Sequence, residues 1–154
     1  MDTSEEADAR TILGVVLLKS LLAGVADPPE IVVELLDPDN AALLEGAGGV
    51  VLVSPRILSH ILAHVALRRE LSTVFDELFR GGGPEIAMRA ASDFDLAGEA
   101  VDFRQVQRSV ARRGAVALGL VDRSSQTPRV LLNPDRNARW TLAASDQVVV
   151  LVDA

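Results

Sequence analysis

A chain of 154 residues with 49% hydrophobic content carries enough apolar material for one good core or two small ones. Its 22 acidic against 15 basic residues leave a formal charge of −7, which argues against nucleic acid or an anionic membrane surface as the main partner. There is no cysteine, so disulfides, zinc thiolate sites and thiol catalysis are excluded, and a reducing cytosolic compartment is compatible.

In chain order, Thr3 and Glu6 stand at capping-box spacing and predict a helix from about Glu5 to Leu22, with acidic residues in its first turn. Its apolar residues, Ile12, Leu13, Val15, Val16, Leu17, Leu18, Leu21 and Leu22, run nearly all the way round the wheel, which predicts burial on more than one side. The run is cut by Lys19 and falls short of the roughly 20 apolar residues of a membrane span. Glu5, Glu6 and Asp8 before it carry the wrong charge for a signal peptide. A soluble chain with no direct membrane insertion is therefore expected. Gly24 and Asp27-Pro28-Pro29 end the helix.

The stretch from Ile31 to Leu67 then writes the strand-to-helix step of a parallel sheet twice. Ile31, Val32, Val33, Leu35 and Leu36 form a short β-branched run suited to a strand covered on both faces. Asp37 follows as helix cap and Pro38 as first helical residue. The step recurs with Val50 to Val53 as strand, Ser54 as cap and Pro55 as first helical residue. A helix from Pro38 to about Glu45, stopped by Gly46, supplies the crossover of a right-handed βαβ unit.

The helix from Pro55 carries Ile57, Leu58, Ile61, Leu62 and Val65 as a wide apolar stripe. After Arg68-Arg69-Glu70, a second amphipathic helix places Leu71, Val74, Phe75, Leu78 and Phe79 on one face. Gly81-Gly82-Gly83-Pro84 marks a boundary between two modules, residues 1–82 and 83–154. The second module reads as a small α+β unit: a strand at Glu85 to Arg89, a loop rich in Asp and Ala, and an extended stretch near Glu99 to Val101. A helix from Phe103 to Arg113 follows, with Phe103, Val106 and Val110 on one face and Gly114 at its end. Strands at Ala115 to Val121, Val130 to Leu132 and Gln147 to Val152 complete it, the first two joined as a hairpin through Asp122 to Pro128.

In an open parallel sheet, ligands bind at the carboxyl ends of the strands. Asp37, Asp39, Asn40 and Ser54 fall there, and such a rim suits a hard cation or ribose hydroxyls. The simpler account makes Asp37 and Ser54 helix caps and the other two first-turn residues. His60 and His64, at i and i+4, could share a zinc ion only with further ligands, so they are expected to border a packed or subunit interface. Gly46, Gly48 and Gly49 lie after a helix and before a strand, the reverse of a dinucleotide fingerprint, and no phosphate loop or serine-nucleophile motif occurs. Arg104, Arg108, Arg112 and Arg113 are expected to form a solvated helical face. No catalytic set stands out, and a nucleotide is disfavoured.

The strings EEADARTILGVVLLKSL, IVVELLDPDNAALLE and VVLVSPRILSHILAHVALRRELSTVFDELF, followed by ARRGAVALGLVDR and VLLNPDRNARWTLAASDQVVVLVD, resemble an RCK domain, the regulator of potassium conductance, in the form carried by CASTOR and POLLUX ion channels. The resemblance implies a partial Rossmann-like lobe with a helix-turn-helix crossover and a complete small C-terminal lobe. The strand, glycine-rich turn and βα units that open the family's first lobe are not among the matched strings, so no nucleotide site carries over. It implies subunit contact across Ile57, Leu58, Ile61, Leu62, Val65, Val74, Phe75, Leu78 and Phe79. It further implies a non-enzymatic gating and dimerisation module at the cytosolic face of the membrane, a homodimer or higher homo-oligomer acting on a membrane pore-forming subunit or segment. The ligand stays unidentified, with calcium or another ion implied only loosely. The alternatives are a nucleotide-dependent Rossmann-type enzyme fragment and a ligand-free scaffold.

Overall fold

The computed structural model describes residues 3–44, 46, 49–124 and 127–153 of a mixed α/β protein. Glu45 and Gly48, at the end of the expected crossover, lie outside the described residues, as do Ser125 and Gln126 of the hairpin turn and the side chain of Thr3. The chain forms two units, Met1–Leu71 and Ser72–Ala154.

In the first unit, α1 (Thr3–Leu22) packs on a parallel pair, β1 (Val32–Leu35) and β2 (Val50–Val53), aligned from Val32↔Val50 to Leu35↔Val53. Alternation along the strands points Val33, Leu35 and Val53 inward, and Val15, Val33, Leu35 and Leu44 make a small core with Ile12, Ile31, Ala41 and Val51 around it. The parallel pairing anticipated from the doubled strand-to-helix step is present. Its crossover, however, is a 3-10 helix, Pro38–Leu44, rather than an α-helix. A rise of about 2.0 Å per residue lets seven residues span about 14 Å, against about 10 Å for an α-helix.

Expected burial of α1 on more than one side is not observed. Val15 and Asp8 are buried, whereas Leu13, Val16, Leu17, Leu18 and Leu21 are exposed. Two short strands offer too little surface to cover a helix that is apolar all round. The same shortage leaves Val32, Val50 and Leu52 exposed on the far face of the pair. At Gly49 the chain enters β2 with φ +109°, and a Cβ there would sit 2.6 Å from the Ile31 carbonyl oxygen, so only glycine fits. β2 runs directly into α2 (Ser54–Leu67).

The second unit takes in nearly all of α3 (Leu71–Phe79), and the glycine run folds back on its end, Gly83 N donating to the Arg80 carbonyl at 3.3 Å. An antiparallel sheet follows in the order β3 (Pro84–Ala90), β8 (Gln147–Asp153), β5 (Val116–Asp122), β6 (Arg129–Leu132). The expected hairpin is the β5–β6 pair. A bulge interrupts β5 between Ala117 and Gly119, and a Cβ on Gly119 would lie 2.3 Å from the Leu131 carbonyl oxygen. The helix α4 (Phe103–Ala111) covers the sheet, burying Phe103, Val106 and Val110 against Ala117, Leu120, Val148 and Val150. Its start is a full capping box: Gln105 N donates to Asp102 Oδ1 and Asp102 N to Gln105 Oε1, each at 2.8 Å.

Two elements were not visible in the sequence. A 3-10 turn, Ala91–Phe94, shapes the Asp- and Ala-rich loop, and β7 (Arg139–Thr141) pairs antiparallel with β4 (Ala100–Asp102), setting Trp140 opposite Val101. Three residues are too few to display a period of two.

Candidate functional site

The carboxyl ends of β1 and β2 hold the four residues singled out from the sequence, and a fifth organises them. Asp8 sits on α1 in step with Ile12 and Val15, so the helix that buries those side chains buries its carboxylate too, leaving it 1% exposed. Burying a charge is costly unless it is fully hydrogen-bonded. Here Asp8 Oδ1 accepts from Leu36 N at 2.9 Å, and Oδ2 accepts from Asp37 N at 2.9 Å and Asn40 Nδ2 at 2.8 Å. The Asn40 amide and the Leu36 N–H hold its pKa below the usual carboxylate range, the Asp37 N–H adding to them while burial opposes.

Asp37 caps the 3-10 crossover as anticipated, its Oδ1 accepting from Asp39 N at 2.9 Å and its carbonyl from Asn40 N at 3.2 Å. Asn40 turns back to Asp8, and Asp39 is exposed. Ser54 departs from the expected role. It lies inside α2, whose N-cap is Val53 with no side-chain capping bond, and its hydroxyl donates to Glu34 Oε1 on the neighbouring strand. The strand pairing sets Glu34 opposite Leu52, next to the start of α2, so the cross-strand carboxylate outcompetes a local cap.

Asp8, Asp37 and Asn40 thus form one hydrogen-bonded group, with Asp39 beside it and Ser54 on a separate strand end. The amides that an anionic ligand would use at the end of β1 are taken by the chain's own carboxylate. An acidic residue at i, i+4, i+7 spacing with Ile12 and Val15 was the signal for Asp8 in the sequence. Among the described residues, no group of three or more His, Asp or Glu side chains is placed to hold a metal ion, and His60 and His64 are both exposed. Beside the group lies a groove of about 470 Å³ lined by Ile12, Leu13, Val16, Asn40 and Leu43.

Asp146 plays a comparable part in the second unit. Its carboxylate is 5% exposed and accepts from Arg123 N and Ala143 N, each at 2.8 Å, tying two loops to the start of β8.

The apolar helix faces behave differently. No residue of α2 or α3 is buried: Ile57, Leu58, Leu62, Val74 and Phe79 are exposed, and Ile61, Val65, Phe75 and Leu78 are half-buried. On α3 the rings of Phe75 and Phe79 stack with centroids 6.2 Å apart. Isolated apolar residues on a surface are ordinary, but a run along one helix face signals something that covers it.

Fold and site together define a small mixed α/β protein with a parallel strand pair braced by a buried carboxylate, an antiparallel sheet under one helix, and uncovered apolar helix faces. No protein-family model matches the chain. Over 132 residues it is 28% identical to the ion channel CASTOR of Lotus japonicus, a stretch covering 83% of this chain and 15% of that channel. It is 30% identical over 132 residues to the probable ion channel CASTOR of Oryza sativa subsp. japonica, covering 83% of this chain and 14% of that protein. The chain is therefore similar to one segment of the CASTOR ion channels and spans a small part of their length. No helix among the described residues is long and apolar enough to cross a membrane.

Proposed function

We propose that this chain is a cytosolic regulatory and dimerisation module of a potassium channel or transporter, of the RCK type, and not an enzyme. The observation that carries the proposal is the run of unburied apolar residues on α2 and α3 in a chain similar to a segment of ion channels. Two copies join through these faces, and a ligand that favours one dimer geometry shifts the population toward it, passing the difference in affinity to a pore-forming segment. The group around Asp8 holds the end of β1 fixed while the helix faces rearrange. Asp37, Asp39, Asn40 and Ser54 rim the strand ends where a ligand of that kind would approach.

Light scattering on the purified protein, with and without millimolar calcium, tests this. A dimer or larger assembly is expected. A strict monomer at tens of micromolar, indifferent to calcium, would sink the proposal.

A further inference from the structure

Four of the chain's 15 basic residues, Arg104, Arg108, Arg112 and Arg113, fall on or just after α4. Their expected role was a solvated face, but the structure separates them. Arg113 is committed: its Nη2 lies 2.7 Å from Asp95 Oδ2 and its guanidinium sits over the Phe94 ring at 5.6 Å. Arg104, Arg108 and Arg112 follow at i, i+4 and i+8, a ladder of like charges that weakens the helix carrying it. Among the described residues none of the three meets a carboxylate in an ion pair, and α4 has no acidic residue of its own.

Arg108 and Arg112 open onto a cavity of about 320 Å³ between α4 and the segment leading into β4. The buried Phe94, Leu96 and Val101 contribute the apolar part of a mostly polar lining. Gln105 and Ser109 line the same side as the two arginines. The Gln105 amide is held in place because its Oε1 accepts from Asp102 N, so its Nε2 is left as a donor. Arg108 is engaged through Nε alone, donating to the Arg104 carbonyl at 3.3 Å. Asp95 and Glu99 also line the cavity; Asp95 is paired with Arg113, whereas Arg108 and Arg112 have no ion-pair partner among the described residues.

We propose that this cavity binds a small hydroxylated phosphomonoester. Two guanidiniums with a hydroxyl and an amide donor match a dianionic phosphate, which takes paired N–H bonds from arginine better than from a point charge. Glu99 accepts from the ligand's hydroxyl groups and repels a second phosphate. The volume lies at the lower end for ligand cavities and suits a sugar phosphate rather than a dinucleotide. The site stands on the second unit's own geometry and is independent of the gating proposal.

The test is an amide NMR titration of the whole chain with glucose 6-phosphate, inorganic phosphate and glucose at fixed ionic strength. Glucose 6-phosphate is expected to shift the Gln105 and Ser109 amides saturably, phosphate more weakly and glucose not at all. The double variant R108Q/R112Q, altering exposed side chains, should keep a dispersed spectrum and lose about tenfold or more in affinity. R108K/R112K, keeping charge without the planar fork, should fall between. E99Q should weaken glucose 6-phosphate relative to inorganic phosphate, which, relieved of the carboxylate's repulsion, should bind at least as tightly as before. Absence of saturation by about 10 mM, or unchanged affinity in R108Q/R112Q, would overturn the site. Equal affinity for phosphate and glucose 6-phosphate would overturn the assignment of the hydroxyls to Glu99.

Discussion

Asp8 and Asn40, 32 positions apart, meet at 2.8 Å with Asn40 Nδ2 donating to Asp8 Oδ2. This bond joins the first helix to the crossover between the two parallel strands, and the Leu36 and Asp37 amides complete the carboxylate's coordination. One side chain near the N-terminus thereby fixes the end of β1, although no backbone pairing links the two segments.

Replacing Asp8 should destabilise the first unit more than its position on a helix suggests. Asp8→Ala leaves two backbone amides and the Asn40 amide without their acceptor at a part-buried place. A clear fall in the urea midpoint is expected. Asp39→Asn, altering an exposed side chain, should move it little. Equal midpoints for Asp8→Ala and wild type would refute the bracing role.

The same carboxylate sets an acid dependence. Its folded pKa is depressed below the ordinary 3.8, by the Asn40 amide first and the Leu36 N–H second. A depressed folded pKa means stabilisation that is complete above the unfolded pKa and lost as pH falls through the folded one. The stability difference between wild type and Asp8→Asn should therefore hold near neutrality and shrink as the pH drops below about 4. Denaturant melts at several pH values measure it, and a difference that grows on acidification contradicts the geometry.

Gly49 should tolerate no side chain. With φ at +109° and the Ile31 carbonyl oxygen 2.6 Å from the place a Cβ would occupy, Gly49→Ala strains the turn that sets the β1–β2 register. A loss of about 1 kcal/mol or more is expected by chemical denaturation. Gly14, with open space around its Cβ position and an α-helical setting, should instead gain about 0.5–1 kcal/mol as alanine.

Charge placed on the apolar helix faces should break self-association without unfolding the protomer. Leu58 and Leu62 on α2 are 56% and 58% exposed, and Phe79 on α3 is 72% exposed, so aspartate at these positions meets water in a monomer. If the faces pair, each change should weaken association by about 2 kcal/mol, roughly thirtyfold in Kd, as at the centre of an interface. Sedimentation with circular dichroism separates the effects: dissociation with unchanged helicity is expected, and unaltered association would place the subunit contact elsewhere.

Much of the architecture was legible because its signals are local. The Asp37-Pro38 junction, the β-branched runs of β1 and β2, the Phe103, Val106, Val110 stripe of α4 and the β5–β6 hairpin all arise from neighbours or from a short period, and each is present. Ser54 shows the limit of such a rule. Its sequence position suits a cap, but pairing of β1 with β2 brings Glu34 within reach, and a carboxylate is a stronger acceptor than the local alternative.

The sequence by itself determined most of the strands and helices, the Ala91–Phe94 turn and β7 excepted, and which faces are apolar, since propensity and periodicity act over a few residues. Tertiary structure alone decided which of those faces is covered, that the crossover is 3-10, that Trp140 lies opposite Val101, and that Asp8 braces a strand end 28 residues away. These depend on how much surface the other segments supply and on partners distant in the chain, and neither quantity is written in any local stretch.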